Sequence, residues 1–300
     1  MPYLYTAVRV PDPAAIDGQS DELCQRLIDE PVSETSGGAM TISQYRHRCS
    51  EAVRIIQITD THLFADPSES FGGIDTRASL MQVVELVKRT HWPADFVLAT
   101  GDLVHDPEPE TYRQLQGIFE SLDVPVYCIP GNHDDPDVMR DWLPSERVRL
   151  ASSVLTDRWQ VILLNTMVPE MHGGTLSEEE LATLDECLRH YPDHHALVCL
   201  HHPPVSIDSP WMDAMSLTNP DRFFAVLDRH PQVRCVLWGH IHQEFDDRRN
   251  NVRLLATPST CVQFTPHAKR HERDDKKPGY RWLVLNPDGS LETGINRLPV

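Results

Sequence analysis

The chain reads as an α/β protein in which two β-sheets pack together with helices on the outside. Three observations predict this. Five short runs, at 53–60, 96–102, 124–130, 196–200 and 235–238, are rich in Val, Ile and Leu and lack clean alternation, so each reads as a strand buried on both faces. Segments with helical periodicity separate several of them. A strand-rich stretch then follows the alternation, which calls for a second sheet beside the first.

Taken in order, residues 1–50 carry Pro11, Pro13, a possible short helix at 21–28 and the polar run from Ser33 to Gly38. They are expected to form a poorly ordered N-terminal extension, followed by one main domain over 51–300. A helix is predicted over 77–89, with Leu80, Val83, Val84 and Val87 on one face, and another over 111–122, with Leu115, Ile118, Phe119 and Leu122. Ser177-Glu178-Glu179-Glu180 is a capping box, and Leu176 and Leu181 are placed for a hydrophobic staple. Pro220 after Asn219 opens a further helix that should bury Phe223, Phe224 and Leu227. Three further strands, at 159–165, 252–257 and 281–285, lack the ligand-rich endings of the five runs.

Composition narrows the function classes. The 300 residues are 40% hydrophobic, enough for one large core or two small ones. No apolar stretch reaches bilayer-spanning length, and Met1 to Tyr5 do not begin a secretory signal. Seven cysteines without a C-x-x-C pair argue against a disulfide framework, and the expected compartment is the cytoplasm. A net charge of −18 disfavours a nucleic-acid polymer as partner, because phosphate neutralisation needs Lys and Arg. A small anion that reaches a bound cation fits better. No membrane partner is expected, and a monomer or a homodimer are both open.

What distinguishes the five runs is how they end. They lead into Asp60 and His62, into Gly101-Asp102, into Gly131-Asn132-His133-Asp134, into His201-His202 and into Gly239-His240-Ile241-His242. Functional groups of layered α/β proteins gather beyond strand ends, so five such endings describe a metal centre. Asp60 and His62 are two apart, and in an extended segment their side chains would project the same way; His240 and His242 repeat the spacing. Gly101 permits a tight turn before Asp102, whose two carboxylate oxygens can bridge two cations. Asn132 offers a neutral oxygen and His201 completes the set. The absence of thiolate leaves Fe, Mn, Zn or Co open.

In this order the motifs resemble the calcineurin-type metallophosphoesterases over roughly residues 53–265. The segments 57–64, 239–244 and 256–264 are similar to the bacterial 3′,5′-cyclic AMP phosphodiesterases of that superfamily, the class III cyclic nucleotide phosphodiesterases. The resemblance implies a four-layer α-β-β-α sandwich of two mixed sheets and two divalent or trivalent metal ions per chain, Fe or Mn before Zn or Co. Asp60, His62, Asp102 and His242 would hold the first ion; Asp102, Asn132, His201 and His240 would hold the second. His62, Asp102, Asn132, His133 and His242 would also meet the substrate, with His133 as the catalytic residue.

His202 is expected to support these ligands from behind or to pack beside them. Many family members carry an acid three residues after the bridging Asp, where this chain has His105; Asp106, one further on, is the candidate for orienting His133. The run 269–277 reads as a solvated loop, with a lid over the site as the sharper alternative. The implied reaction is hydrolysis of a cyclic nucleotide, cyclic AMP to 5′-AMP, by a metal-activated hydroxide, with His133 protonating the leaving 3′-oxygen. The alternative is a broader phosphodiesterase or phosphomonoesterase on another small phosphoester. A metal-holding scaffold without catalysis would require a damaged motif, and every motif position is filled.

Overall fold

In the computed structural model, which describes residues 42–44 and 51–299, two mixed β-sheets lie face to face with helices on both outer surfaces. The strands in chain order are β1 (Ile42–Gln44), β2 (Val53–Ile58), β3 (Phe96–Thr100), β4 (Val126–Ile129), β5 (Val148–Arg149), β6 (Ser153–Leu155), β7 (Trp159–Leu163) and β8 (His195–Cys199). They continue with β9 (Val233–Trp238), β10 (Phe245–Arg249), β11 (Val252–Ala256), β12 (Gln263–Phe264), β13 (Arg273–Asp274), β14 (Gly279–Leu285) and β15 (Leu291–Arg297). One sheet has the order β15-β14-β2-β3-β4-β5 and the other β1-β6-β7-β8-β9-β11-β10, while β12 and β13 form a separate ribbon. Strands β2, β3 and β4 are parallel, as are β7, β8, β9 and β11. Their C-terminal ends therefore open toward one edge of each sheet.

Burial explains why these strands lack alternation. Ile55, Phe96, Leu98, Leu197, Cys199, Cys235 and Leu237 fill the space between the sheets. Their neighbours Ile56, Val97 and Ala99 face helices outside one sheet, and Ala196, Val198 and Val236 face helices outside the other. Each strand thus serves two cores, and every buried Val, Leu or Ile contributes roughly 1.5–3 kcal/mol.

The helices are α1 (Thr76–Thr90), α2 (Pro109–Glu120), α3 (Pro136–Trp142), α4 (Glu178–His190), α5 (Pro210–Asp213) and α6 (Pro220–Leu227). Asp75 caps α1 by accepting from the Ala78 amide, and Leu80, Val83, Val84 and Val87 are buried as predicted. In α2, Leu115 and Phe119 are buried, but Ile118 is only partly covered. Ser177 caps α4 by accepting from the Glu180 amide at 3.1 Å; the Glu180 carboxylate turns away and accepts from the Asn165 amide at 3.2 Å. In α6, Val226 joins Phe223 and Leu227 in the core, whereas Phe224 is half-buried beneath the Arg249 guanidinium, 4.3 Å away.

Strand β1 lies within the stretch expected to be an extension, yet it pairs in parallel with β6, Ile42 opposite Ser153. The helix considered at 21–28 and the polar run from Ser33 to Gly38 fall outside the described residues. Among the described residues no helix is long and apolar enough to cross a membrane.

Candidate metal centre

The loops after β2, β3, β4, β8 and β9 converge, and the backbone at their tips is unusual. Asp60, His62, Asp102, His240 and His242 have φ values of 53°, 44°, 48°, 66° and 50°. This corrects the extended reading of the paired residues two apart: both pairs stand on left-handed backbone. Such residues cost about 1–2 kcal/mol each unless the surroundings impose them. Here the two loops hold each other, through Asp60 N–H to Gly101 O at 3.0 Å, His62 N–H to Asp102 O at 2.9 Å and Leu63 N–H to Leu103 O at 3.2 Å.

Asp60, His62, Asp102, His201, His240 and His242 are all buried. Ligand atoms of Asp60, His62 and His242 lie within 4.8 Å of one another, as do those of Asp60, Asp102 and His201. His242 Nε2 is 3.3 Å from Asp60 Oδ1 and 3.2 Å from His62 Nε2. Asp102 stands between two corners, with Oδ2 3.7 Å from His62 Nε2 and Oδ1 3.3 Å from His201 Nε2. The His240 ring packs 5.1 Å from that of His201. Asn132 Oδ1, His201 Nε2 and both ring nitrogens of His240 are buried without a hydrogen-bond partner. Unsatisfied buried lone pairs of this kind are costly, so the residues fit bound cations.

The structure brings His202 closer than a packing role requires. One of its ring nitrogens falls within 4.8 Å of ligand atoms of His201 and His240, and Nε2 is buried without a partner. Nδ1 meets Thr166 Oγ1 at 2.8 Å. Among the described residues no hydrogen bond joins Asp106 to His133; burial lowers the pKa of the neighbouring His105, with the Asp106 carboxylate opposing only part of that fall. His133 is half-buried, its amide donating to Asp102 Oδ1 at 2.9 Å and its ring 4.8 Å from that of His62 and 4.7 Å from that of His105.

Several supporting residues carry no sequence signal of their own. His201 Nδ1–H donates to the Thr100 carbonyl at 2.8 Å, and His242 Nδ1–H donates to the Val262 carbonyl at 2.9 Å. Such partners fix the tautomer that leaves Nε2 free for a metal. Thr59 Oγ1 donates to Asp60 Oδ2 at 2.7 Å. Asp134 accepts from the amides of Gly131, Leu103 and Val104 and from the Tyr112 hydroxyl, which locks the loop holding Asn132 and His133. Behind the centre, buried Arg281 donates to Thr257 Oγ1 at 3.1 Å, Thr257 donates to Gln57, and Gln57 donates to Thr100 Oγ1 at 2.8 Å. Phe264 stacks on His242 with ring centres 4.4 Å apart, and β13 pairs with β12 there, so the segment read as a loop or lid returns to the site as a ribbon.

The electrostatics suit cation binding. Burial pushes His62 and His240 well below the ordinary imidazole range, and His202 down to about 3. Burial also opposes charge on His201, but the Asp102 carboxylate outweighs it and raises His201 to about 9. Asp102 is held well below the carboxylate range, since the neighbouring histidines overcome its burial. Neutral His62 and His240 and an ionised Asp102 are the protonation states that metal ligands need, whereas His201 would release its Nε2 proton as a cation takes that place.

The family model of the calcineurin-like phosphoesterases matches residues 53–244. The chain belongs to that family. All five ligand-bearing loops of this phosphoesterase fall inside the match. It is 41% identical over 252 residues to a Pseudomonas aeruginosa protein named 3′,5′-cyclic adenosine monophosphate phosphodiesterase CpdA, covering 82% of this chain and 90% of that one. It is also 41% identical over 247 residues to a 3′,5′-cyclic-nucleotide phosphodiesterase of Nostoc, covering 82% and 93%. Its fold is similar to that of a dimetal phosphatase from Danio rerio, at a TM-score of 0.56 and 14% identity over 83% of this chain and 100% of the other.

Proposed function

We propose that this phosphoesterase hydrolyses 3′,5′-cyclic nucleotides, cyclic AMP to 5′-AMP, at a centre of two metal ions, Fe or Mn before Zn or Co. The observation that carries the reading is Asp102 between the two corners, with its oxygens turned to His62 and to His201. Asp60, His62, Asp102 and His242 would hold one ion, and Asp102, Asn132, His201 and His240 the other. The substrate class is supported by the names of the relatives from Pseudomonas aeruginosa and Nostoc.

When bound, two cations supply positive charge for the phosphoryl oxygens and lower the pKa of a water. His133 is placed to act beside them. Its amide is tied to Asp102, while its ring makes no side-chain hydrogen bond among the described residues and stands at the edge of His62. Such a ring can protonate the departing 3′-oxygen. Phe71, 4.7 Å from His62, and Phe264 on His242 cover the first corner with apolar surface. The reading places catalysis in residues 51–300 of a cytoplasmic monomer or homodimer, and the charge of −18 supports a small substrate over a nucleic-acid polymer or an anionic membrane.

Protein reconstituted with Mn²⁺ or Fe²⁺ tests this against cyclic AMP, cyclic GMP, bis-p-nitrophenyl phosphate and p-nitrophenyl phosphate. Metal-dependent release of 5′-AMP is expected. Turnover of the monoester alone would replace the proposal with a phosphomonoesterase.

A further inference from the structure

His105 lies three residues beyond Asp102, and its Nδ1 is 3.4 Å from Nδ1 of His62. The other nitrogen of His62, Nε2, faces the centre, 3.2 Å from His242 Nε2 and 3.7 Å from Asp102 Oδ2. An imidazole gives a metal only an unprotonated nitrogen, so a neutral His62 that binds through Nε2 carries its proton on Nδ1. The acceptor in front of that N–H is His105 Nδ1. His105 then has its own proton on Nε2.

We infer that His105 is a positioning residue that accepts the Nδ1–H of His62 and so sets the tautomer and ring plane of a metal ligand. This rests on the proposed role of His62 as a ligand. The His105 ring is itself gripped: Phe64 lies 4.4 Å away at 35°, Phe71 5.2 Å away, and His133 4.7 Å away at 30°. Three rings fix its plane, which keeps Nδ1 aimed at His62 instead of at solvent. A neutral acceptor at this position orients the ligand without adding a negative charge to a centre that already holds Asp60 and Asp102.

Two variants separate acceptor from packing. H105Q keeps a neutral acceptor and loses the ring; H105F keeps the ring and loses the acceptor. Mn²⁺ affinity, measured by calorimetry on protein whose fold is checked by circular dichroism, should fall about 10–100-fold in H105F. H105Q should stay within a few-fold of the parent. Long-range ¹⁵N spectra of histidine-labelled, Zn²⁺-loaded parent protein should show His105 protonated on Nε2 and His62 on Nδ1. An H105F variant that binds like the parent, an H105Q variant as weak as H105F, or a His105 protonated on Nδ1 would each overturn the inference. If H62A retained both ions, the ligand assignment itself would fall, a result independent of the His105 variants.

Discussion

His201 is oriented by the same strand that delivers Asp102: its Nδ1–H donates to the Thr100 carbonyl at 2.8 Å, which leaves Nε2 3.3 Å from Asp102 Oδ1. One strand end thus supplies both the carboxylate proposed to bridge and the acceptor that turns a histidine toward it. The two sheets are coupled at this point, since Thr100 ends β3 and His201 follows β8. Changes on either side should be felt as lost metal.

Asp102→Ala removes the only residue assigned to both ions, and with it the acceptor for the His133 amide. Hydrolysis should fall to background, and elemental analysis should find depletion at both sites. Two tightly held ions per chain in the variant would rule out bridging.

Gly131→Ala should act on metal binding through sterics. A Cβ there would meet the Asp102 amide and Oδ1 and come within 2.7 Å of His201 Nε2. At Gly117, inside α2, a Cβ meets nothing within 4 Å. Gly117→Ala should therefore keep full metal content and gain about 0.5–1 kcal/mol of stability. Urea unfolding and metal analysis of both variants check the contrast, and equal metal content in the two would contradict it.

His133→Ala should keep both ions yet slow the chemical step by about 10²–10⁴-fold, the range for general acid catalysis. Because p-nitrophenolate leaves without a proton and a 3′-alkoxide does not, the loss should be larger for cyclic AMP than for bis-p-nitrophenyl phosphate. Equal losses with metals retained would assign the ring to phosphate binding.

Glu180 offers a pH prediction away from the centre. Burial pushes its carboxyl up to about 7, against an ordinary value of 4.5. An acid whose pKa is raised on folding stabilises the protein below the unfolded value and loses that contribution as pH rises through the folded value. Stability should thus decline between about pH 4.5 and 7, by roughly 3 kcal/mol at most. Glu180→Gln retains an acceptor for the Asn165 amide and should raise the melting temperature at pH 8 but not at pH 4. A gain of equal size at both pH values would show that ionisation is not the cause.

The candidate ligands stood out in the sequence because each follows an apolar run that reads as a doubly buried strand, and the structure gathers those strand ends. The helix faces were legible from their 3.6-residue spacing, apart from Ile118, which is only partly covered, and Phe224, whose cover comes from Arg249 on a distant strand. The role of Asp106 was not legible: its offset from Asp102 is local, but what its carboxylate can reach depends on how the loop after β3 meets that after β2. Spacing alone brought out Asp60 with His62 and His240 with His242 as ligand pairs, together with the order of motifs that marks the family. Tertiary structure decided where each member of those pairs goes: His242 meets Asp60 and His62, whereas His240 meets His201 and His202. Left-handed backbone at Asp60 and His62 is held by hydrogen bonds to Gly101 and Asp102, some forty residues away, and the acceptors behind His201 and His242 are carbonyls of other strands and loops. A backbone carbonyl is identical in every residue, so no side-chain pattern announces which one will orient a ligand.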